Sequence, residues 1–289
     1  YPTHVAALKP YVPGLPAARS GIAEDRIVKL ASNENPLGAS PRALAALSGA
    51  AIDLSRYPDS DCAALSAAIA AFHDVPRDWI VFGAGSESVL GNLVSTLLQP
   101  GRSTAYSQYS FQAYVNAAQK LGATSTVVAS PDFRVDLEGL AAAIQPSTAL
   151  VYIANPGNPT GTVVGPDGLE AFLGRVPAQV VVLLDEAYFE FMPAALRGDS
   201  IAWVRRHPNL VGAARHHRAA GGLLRTGRVG SHQHRHAGRD RPVPGRPVAL
   251  SPAWRRIPGC FMALSRAAAN RAISSGGVPA DNESFYGDS

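Results

Sequence analysis

An α/β fold organised on a mostly parallel sheet is predicted for this chain by three observations. Ala149 to Ala154 and Val180 to Leu184 are apolar at successive positions, which suits strands buried on both faces of a parallel sheet. Trp79-Ile80-Val81-Phe82 is a shorter apolar run that breaks into Gly83-Ala84-Gly85-Ser86. Val89, Leu90, Leu93, Val94, Leu97 and Leu98 then repeat at helical spacing, so strand, glycine loop and helix follow in order. The two long runs end in polar segments, Asn155-Pro156-Gly157-Asn158-Pro159-Thr160-Gly161 and Asp185-Glu186-Ala187-Tyr188. Ligands of open α/β sheets bind beyond the carboxyl ends of strands, so these segments are expected to converge on one crevice.

The other elements follow from local signals. Ser40-Pro41 reads as an N-cap followed by proline at the first helical position, where a missing N–H costs nothing, and the Ala/Leu run carries that helix to about Ile52. A second Ala-rich helix is expected from about Cys62 to Phe72, and Pro100-Gly101 ends the helix that follows the glycine loop.

Length and composition, 289 residues with 46% hydrophobic and 17% charged, suit a large globular domain plus a smaller piece. The two cysteines, Cys62 and Cys260, are too few and too far apart to suggest a disulfide framework, and a reducing cytoplasm is the expected compartment. No apolar run approaches the roughly 18 residues of a spanning helix, and Tyr1-Pro2-Thr3-His4 carries no signal region. A start at Tyr1 suggests a missing or processed beginning. The net charge of +4 averages two different materials: residues 1–210 hold 14 Lys and Arg against 18 Asp and Glu, whereas residues 211–289 hold 12 against 4. The basic balance belongs to the tail.

A cofactor with a phosphate, an aromatic ring and an ionisable ring nitrogen would use every feature of the expected crevice. The loop ending in Gly85 and Ser86, at a helix N-terminus, offers N–H groups and a positive dipole end to a phosphate. Asp185 would meet the ring nitrogen and keep it protonated, so that the ring can accept electrons. Asn158 and Tyr188 could donate hydrogen bonds to a ring oxygen, and Tyr109 could stack on the ring face. Taken singly, each has a plainer reading: a proline-stiffened turn, a surface carboxylate, a packed tyrosine. Together they favour the cofactor, since Asp185 buried after five apolar residues would cost several kcal/mol without a cationic partner, which a pyridinium supplies.

The resemblance then rests on Leu30-Ala31-Ser32-Asn33-Glu34-Asn35-Pro36, Arg56-Tyr57-Pro58, Gly85-Ser86-Glu87, Tyr106-Ser107-Gln108-Tyr109, Asn155 to Gly161, and Asp185 to Tyr188. With these in order over residues 1–210, the front of the chain resembles the aspartate-aminotransferase-type fold of pyridoxal phosphate enzymes, most like histidinol-phosphate aminotransferases. The resemblance implies a three-layer large domain, pyridoxal 5'-phosphate as cofactor, an amino donor and a 2-oxo acid as substrates, and a homodimer with shared sites. Asp185 would pair with the pyridine nitrogen and Asn158 and Tyr188 with the phenolic oxygen. Gly85 and Ser86 would bind phosphate, Tyr109 would stack on the ring, and Tyr57 would reach the phosphate of the neighbouring subunit's cofactor. Glu34 and Glu186 are left as loop or supporting groups.

The pattern stops near residue 211. Relatives continue with a Ser-x-Ser-Lys turn, whose Schiff-base lysine bonds the cofactor, and a glycine-rich segment whose arginine binds phosphate. The text here is Val211-Gly212-Ala213-Ala214-Arg215-His216-His217-Arg218, and no lysine occurs after Lys120; the others are Lys9 and Lys29. No catalytic residue is therefore assigned. Between Val211 and Cys260 stand ten Arg, five His and a single acid, Asp240. Such a block resembles out-of-frame translation of a GC-rich gene, and a frame change near residue 211 is the favoured reading. His232, His234 and His236 alternate without a Cys or carboxylate cluster, and Trp254 is the only aromatic among the arginines, so neither a metal site nor a nucleic-acid module is assigned.

The expected organisation is an N-terminal arm and small-domain piece at 1–45, an incomplete large cofactor-binding domain at 46–210, and a poorly packed or disordered basic tail at 211–289. A small domain is expected to be incomplete or absent. The expected activity is transamination of histidinol phosphate with 2-oxoglutarate in histidine biosynthesis, impaired in this chain by the missing lysine. Alternatives are an aromatic amino acid aminotransferase, a phosphothreonine-type decarboxylase, and, from another class, a noncatalytic remnant or a basic-tailed binding protein.

Overall fold

The computed structural model describes residues 2–8, 21–23, 26–27, 33, 35, 38–48, 57–213 and 222–225. Within them a seven-stranded sheet is formed by β1 (Ile80–Phe82), β2 (Ser103–Ser107), β3 (Thr124–Val128), β4 (Thr148–Ala154), β5 (Val181–Asp185), β6 (Leu210–Ala213) and β7 (Gly222–Arg225), in the order β1-β7-β6-β5-β4-β2-β3. Strands β3, β2, β4, β5 and β6 pair in parallel, and β7 is antiparallel to both β6 and β1. Two reversals cancel, so β1 runs with the parallel set. The carboxyl ends of β1, β2, β4, β5 and β6 therefore share one edge of the sheet.

The helices are α1 (Thr3–Ala6), α2 (Pro41–Ser48), α3 (Ala63–His73), α4 (Gly85–Leu97), α5 (Gln112–Lys120), α6 (Leu137–Ala142), α7 (Pro166–Arg175) and α8 (Ser200–Arg206). Helices α4 and α5 cover one face of the sheet, where Leu90, Leu93, Val94, Tyr114 and Ala118 pack on Tyr106, Leu150, Tyr152, Leu183 and Val211. Helices α6, α7 and α8 cover the other, where Leu140, Leu169, Phe172, Leu173 and Trp203 pack on Ala105, Val151, Ile153, Val182 and Leu184. The expected three layers are present. Burying each Val, Leu, Ile or Phe contributes about 1.5–3 kcal/mol, so the two cores explain why strands apolar at successive positions lie in the middle of the sheet.

The sequence places several elements well and misses others. The runs at 149–154 and 180–184 become β4 and β5, and the Cys62-to-Phe72 helix becomes α3, with the Asp59 carboxylate accepting from Ala63 N at 2.7 Å. Pro41 opens α2 as expected. That helix is described to Ser48, and the expected extension to Ile52 lies outside the described residues. Trp79 belongs to a 3-10 turn over Arg77–Trp79, so β1 starts one residue later, at Ile80.

β2 escapes a reading by hydrophobicity. Its sequence is Ser-Thr-Ala-Tyr-Ser, yet all five residues are buried. At the start of the strand hydrogen bonds offset the cost: Ser103 Oγ lies 3.0 Å from Ser147 Oγ and 3.1 Å from Thr148 Oγ1, and Thr104 Oγ1 donates to the Leu150 carbonyl at 2.9 Å. With the single Thr104 proton used there, Tyr114 is the donor in its contact with Thr104 Oγ1.

The boundary drawn after residue 210 falls on the first residue of β6, and β6 and β7 both take residues from beyond it. Parallel pairing of Leu183 with Val211 and Leu184 with Gly212 carries the sheet past that boundary. Arg56, Glu34, Lys9, Lys29, the His232 to His236 alternation, Trp254 and the remainder of the expected tail lie outside the described residues.

Candidate active site

Asp185 is the last residue of β5, beside Ala154 at the end of β4, and is only 4% exposed. Its side chain lies on the α4/α5 face, since it shares parity with Leu183. The carboxylate accepts from Ala187 N at 3.1 Å on Oδ1 and from the Tyr152 hydroxyl at 2.9 Å on Oδ2. Burial pushes the Tyr152 hydroxyl well above the usual tyrosine range, and the adjacent Asp185 charge acts in the same direction, so Tyr152 remains a proton donor. The Tyr152 ring stacks on Tyr114 with centroids 4.1 Å apart and planes 10° from parallel.

The loop after β4 is held by Asn155. Its buried side-chain amide accepts from Val164 N at 2.8 Å and donates to Val164 O at 3.1 Å, while its backbone N–H reaches Asp185 O at 2.9 Å. Gly161, at φ +68°, donates to Gly157 O at 2.8 Å, and Gly157 donates to Thr162 O at 2.9 Å. A side chain at 161 would be strained in that left-handed turn. The closed loop presents Asn158, whose Nδ2 lies 3.5 Å from the Tyr188 hydroxyl.

Asn33 also donates to that hydroxyl, at 2.7 Å. In sequence Asn33 is only one residue of the Leu30-to-Pro36 segment, and its role follows from a contact spanning 155 positions. Two side-chain amides, from segments far apart in the chain, thus converge on the Tyr188 hydroxyl.

Gly85 begins α4 directly after β1 and has φ +77°, a conformation that favours glycine. The Ala84 N–H is taken by Ser88 Oγ at 2.9 Å, which fixes the turn. The Gly85 N–H donates to Gly83 O at 3.0 Å, and Gly85 and Ser86 stand at the N-terminus of α4, on the shared edge.

Tyr109 lies two residues beyond β2 and is 39% exposed; its ring is tilted 39° against Phe133, centroids 5.2 Å apart. Tyr57 stands away from the group with a fully exposed side chain. The structure therefore brings Asp185, Asn158 and Tyr188 together, puts Gly85, Ser86 and Tyr109 on the same sheet edge, and leaves Tyr57 facing outward. Glu186 is buried and accepts from Ser200 Oγ at 2.6 Å, so it ties β5 to α8.

A buried carboxylate at one point and hydroxyl and amide donors beside it match a ring with a protonated nitrogen and a phenolic oxygen, so the donor set fits pyridoxal phosphate. Lys120 does not join this set. It ends α5, four residues before Thr124, which pairs with Ser103 at the start of β2. Lys120 thus lies at the amino edge of the sheet, opposite Asp185. Among the described residues no cluster of His, Cys, Asp or Glu could hold a metal ion, and no helix is long and apolar enough to cross a membrane.

Residues 25–215 match the family described as aminotransferase class I and II. Histidinol-phosphate aminotransferase 1 of Cupriavidus pinatubonensis is 48% identical over 214 residues, covering 73% of this chain and 57% of the relative. Histidinol-phosphate aminotransferase 2 of Ralstonia nicotianae gives the same identity and coverage. The chain spans a little over half the length of these curated relatives. Among solved structures, histidinol-phosphate aminotransferase from Sinorhizobium meliloti in complex with pyridoxal-5'-phosphate superimposes with a TM-score of 0.70 at 26% identity, covering 84% of this chain and 63% of that one. A Thermus thermophilus aspartate aminotransferase mutant, at 17% identity and a TM-score of 0.67 over 84% of this chain and 68% of its own, shares the fold. With its strand order, its sheet-edge donor set and this match over two thirds of its length, the chain belongs to the class I and II aminotransferase family.

Proposed function

We propose that this chain carries the cofactor-holding part of a pyridoxal-phosphate-dependent transamination, with histidinol phosphate as amino donor and 2-oxoglutarate as acceptor, and that as written it binds the cofactor without bonding it. The observation that carries this reading is Asp185: a buried carboxylate, bonded by the Tyr152 hydroxyl and Ala187 N, at the sheet edge where Asn158 and Tyr188 meet. When bound, pyridoxal phosphate supplies an electron sink for the charge left as an amino acid loses its α-proton.

Each residue has a separable task. Asp185 holds a proton on the ring nitrogen, Asn158 and Tyr188 bind the phenolic oxygen, the Gly85-Ser86 turn binds phosphate, and Tyr109 covers the ring face. The outward Tyr57 suits a contact with a second subunit's cofactor, so a cytoplasmic homodimer with shared sites is part of the proposal. Relatives named histidinol-phosphate aminotransferases support histidinol phosphate as the amino donor. Turnover needs an amine at the cofactor aldehyde. The sequence has no lysine after Lys120, and Lys120 lies across the sheet, so background transaminase activity is expected.

Titrating the full chain with pyridoxal phosphate tests the reading. Asp185→Ala should weaken binding roughly 10- to 100-fold, the span of a charge-assisted hydrogen bond. Equal affinities in the two proteins would remove the ring-nitrogen assignment. The arginine- and histidine-rich block from Val211 to Cys260 supports a frame change as the origin of the missing lysine. One alternative frame of the same DNA, beginning within about a few codons of residue 211, should encode the Ser-x-Ser-Lys turn and the glycine-rich arginine segment. Restoring it should restore covalent attachment and activity together; two alternative frames without that lysine would end the frame-change account and leave a noncatalytic family member.

A further inference from the structure

Behind the carboxylate stands a residue that the sequence did not single out. Tyr152 sits two residues from the end of β4, pairs across the sheet with Leu183, and sends its hydroxyl along the α4/α5 face to Asp185 Oδ2 at 2.9 Å. It is fully buried, and its ring is fixed by stacking on Tyr114. The Tyr114 hydroxyl is itself bonded to Thr104 Oγ1, which donates to Leu150 O. The polar groups of this face thus form two short chains that share a ring stack: Tyr152 to Asp185, and Tyr114 to Thr104 to the β4 backbone. The first of these reaches the site.

We propose that Tyr152 is a positioning residue whose hydroxyl fixes the Asp185 carboxylate and limits its basicity, so that a pyridine nitrogen bound there keeps its proton. The inference rests on the cofactor-binding reading of Asp185. A carboxylate that accepts hydrogen bonds is stabilised in its charged form and takes a proton less readily. Between Asp185 and a ring nitrogen the shared proton then stays on nitrogen, the state in which the ring draws electrons. Among the described residues, the ionisable groups arranged about this pair are Tyr152 from β4, Tyr114 from α5, Tyr106 from β2, and Glu186 and Tyr188 from the segment after β5. Burial, followed by the Asp185 charge, keeps the Tyr152 proton in place as the donor.

The test uses the full chain and pyridoxal phosphate labelled with 15N at the ring. Wild type is expected to show a pyridinium nitrogen shift. Tyr152→Phe keeps the ring stack and removes only the donor; it should weaken binding about three- to tenfold, the worth of one hydrogen bond, and move the nitrogen signal toward neutral pyridine. Tyr114→Phe, which keeps the same stack and removes the hydroxyl bonded to Thr104 without touching Asp185, should leave the nitrogen signal at its wild-type position. Asp185→Ala separates the two levels of the argument. If Asp185→Ala changes neither affinity nor signal, the cofactor reading itself fails. If Asp185→Ala changes both while Tyr152→Phe matches wild type, or if Tyr152→Phe and Tyr114→Phe shift the signal equally, the positioning role is overturned and Tyr152 is only part of the core.

Discussion

The two faces of the sheet are built from different materials. Under α6, α7 and α8 the core is nearly all hydrocarbon: Leu140, Val151, Ile153, Leu169, Phe172, Leu173, Val182 and Leu184. Under α4 and α5, Leu90, Leu93, Val94, Leu150 and Leu183 are joined at the same depth by Tyr106, Tyr114 and Tyr152 with Thr104 beneath them, and this face ends in Asp185. A hydrocarbon face can only contribute stability. The tyrosine face contributes stability and also carries an oriented hydroxyl to a functional carboxylate, so its packing and its chemistry are coupled.

Removing a large hydrocarbon side chain should show the uncoupled behaviour most strongly. Phe172, 1% exposed on α7, packs only on the second face. Phe172→Ala is expected to cost about 3–5 kcal/mol in denaturant unfolding, with cofactor affinity of the folded fraction unchanged. A loss of affinity comparable with that of Asp185→Ala would show that the faces are not independent.

What the sequence revealed divides along the same line. β4 and β5 are legible because doubly buried strands must be apolar at every position, and the motifs at their ends are legible because they are continuous. β2 is not, because its burial depends on hydroxyl partners at Ser147, Thr148, Tyr114 and Leu150 that are remote in the chain. The Asn33 contact with Tyr188 and the Tyr152 contact with Asp185 are likewise properties of the pairing, not of any local pattern. Gly85 announced its turn in sequence, and its φ of +77° gives the physical reason for glycine there.

Alkaline pH should sharpen the contrast with a smaller, graded effect. Burial raises the proton affinity of both Tyr114 and Tyr152 in the folded chain. The folded state holds protons that the unfolded chain releases near pH 10, so this contribution is whole below about pH 10 and falls by up to roughly 1.4 kcal/mol per tyrosine for each further pH unit. Unfolding curves from about pH 9 to 11 should show that decline, and Tyr152→Phe should make it shallower. The hydrocarbon face has no titrating group to contribute, so an undiminished slope in Tyr152→Phe would place the alkaline sensitivity elsewhere.

Binding without bonding is the central claim, and borohydride reduction of the full chain saturated with pyridoxal phosphate reads it most directly. Equilibrium dialysis before reduction should find the cofactor bound and Asp185-dependent. Peptide mass spectrometry after reduction and denaturation should find no site-specific pyridoxyl adduct on Lys9, Lys29 or Lys120, the three lysines of the chain. A stoichiometric adduct on one of them, accompanied by transaminase turnover, would contradict the account.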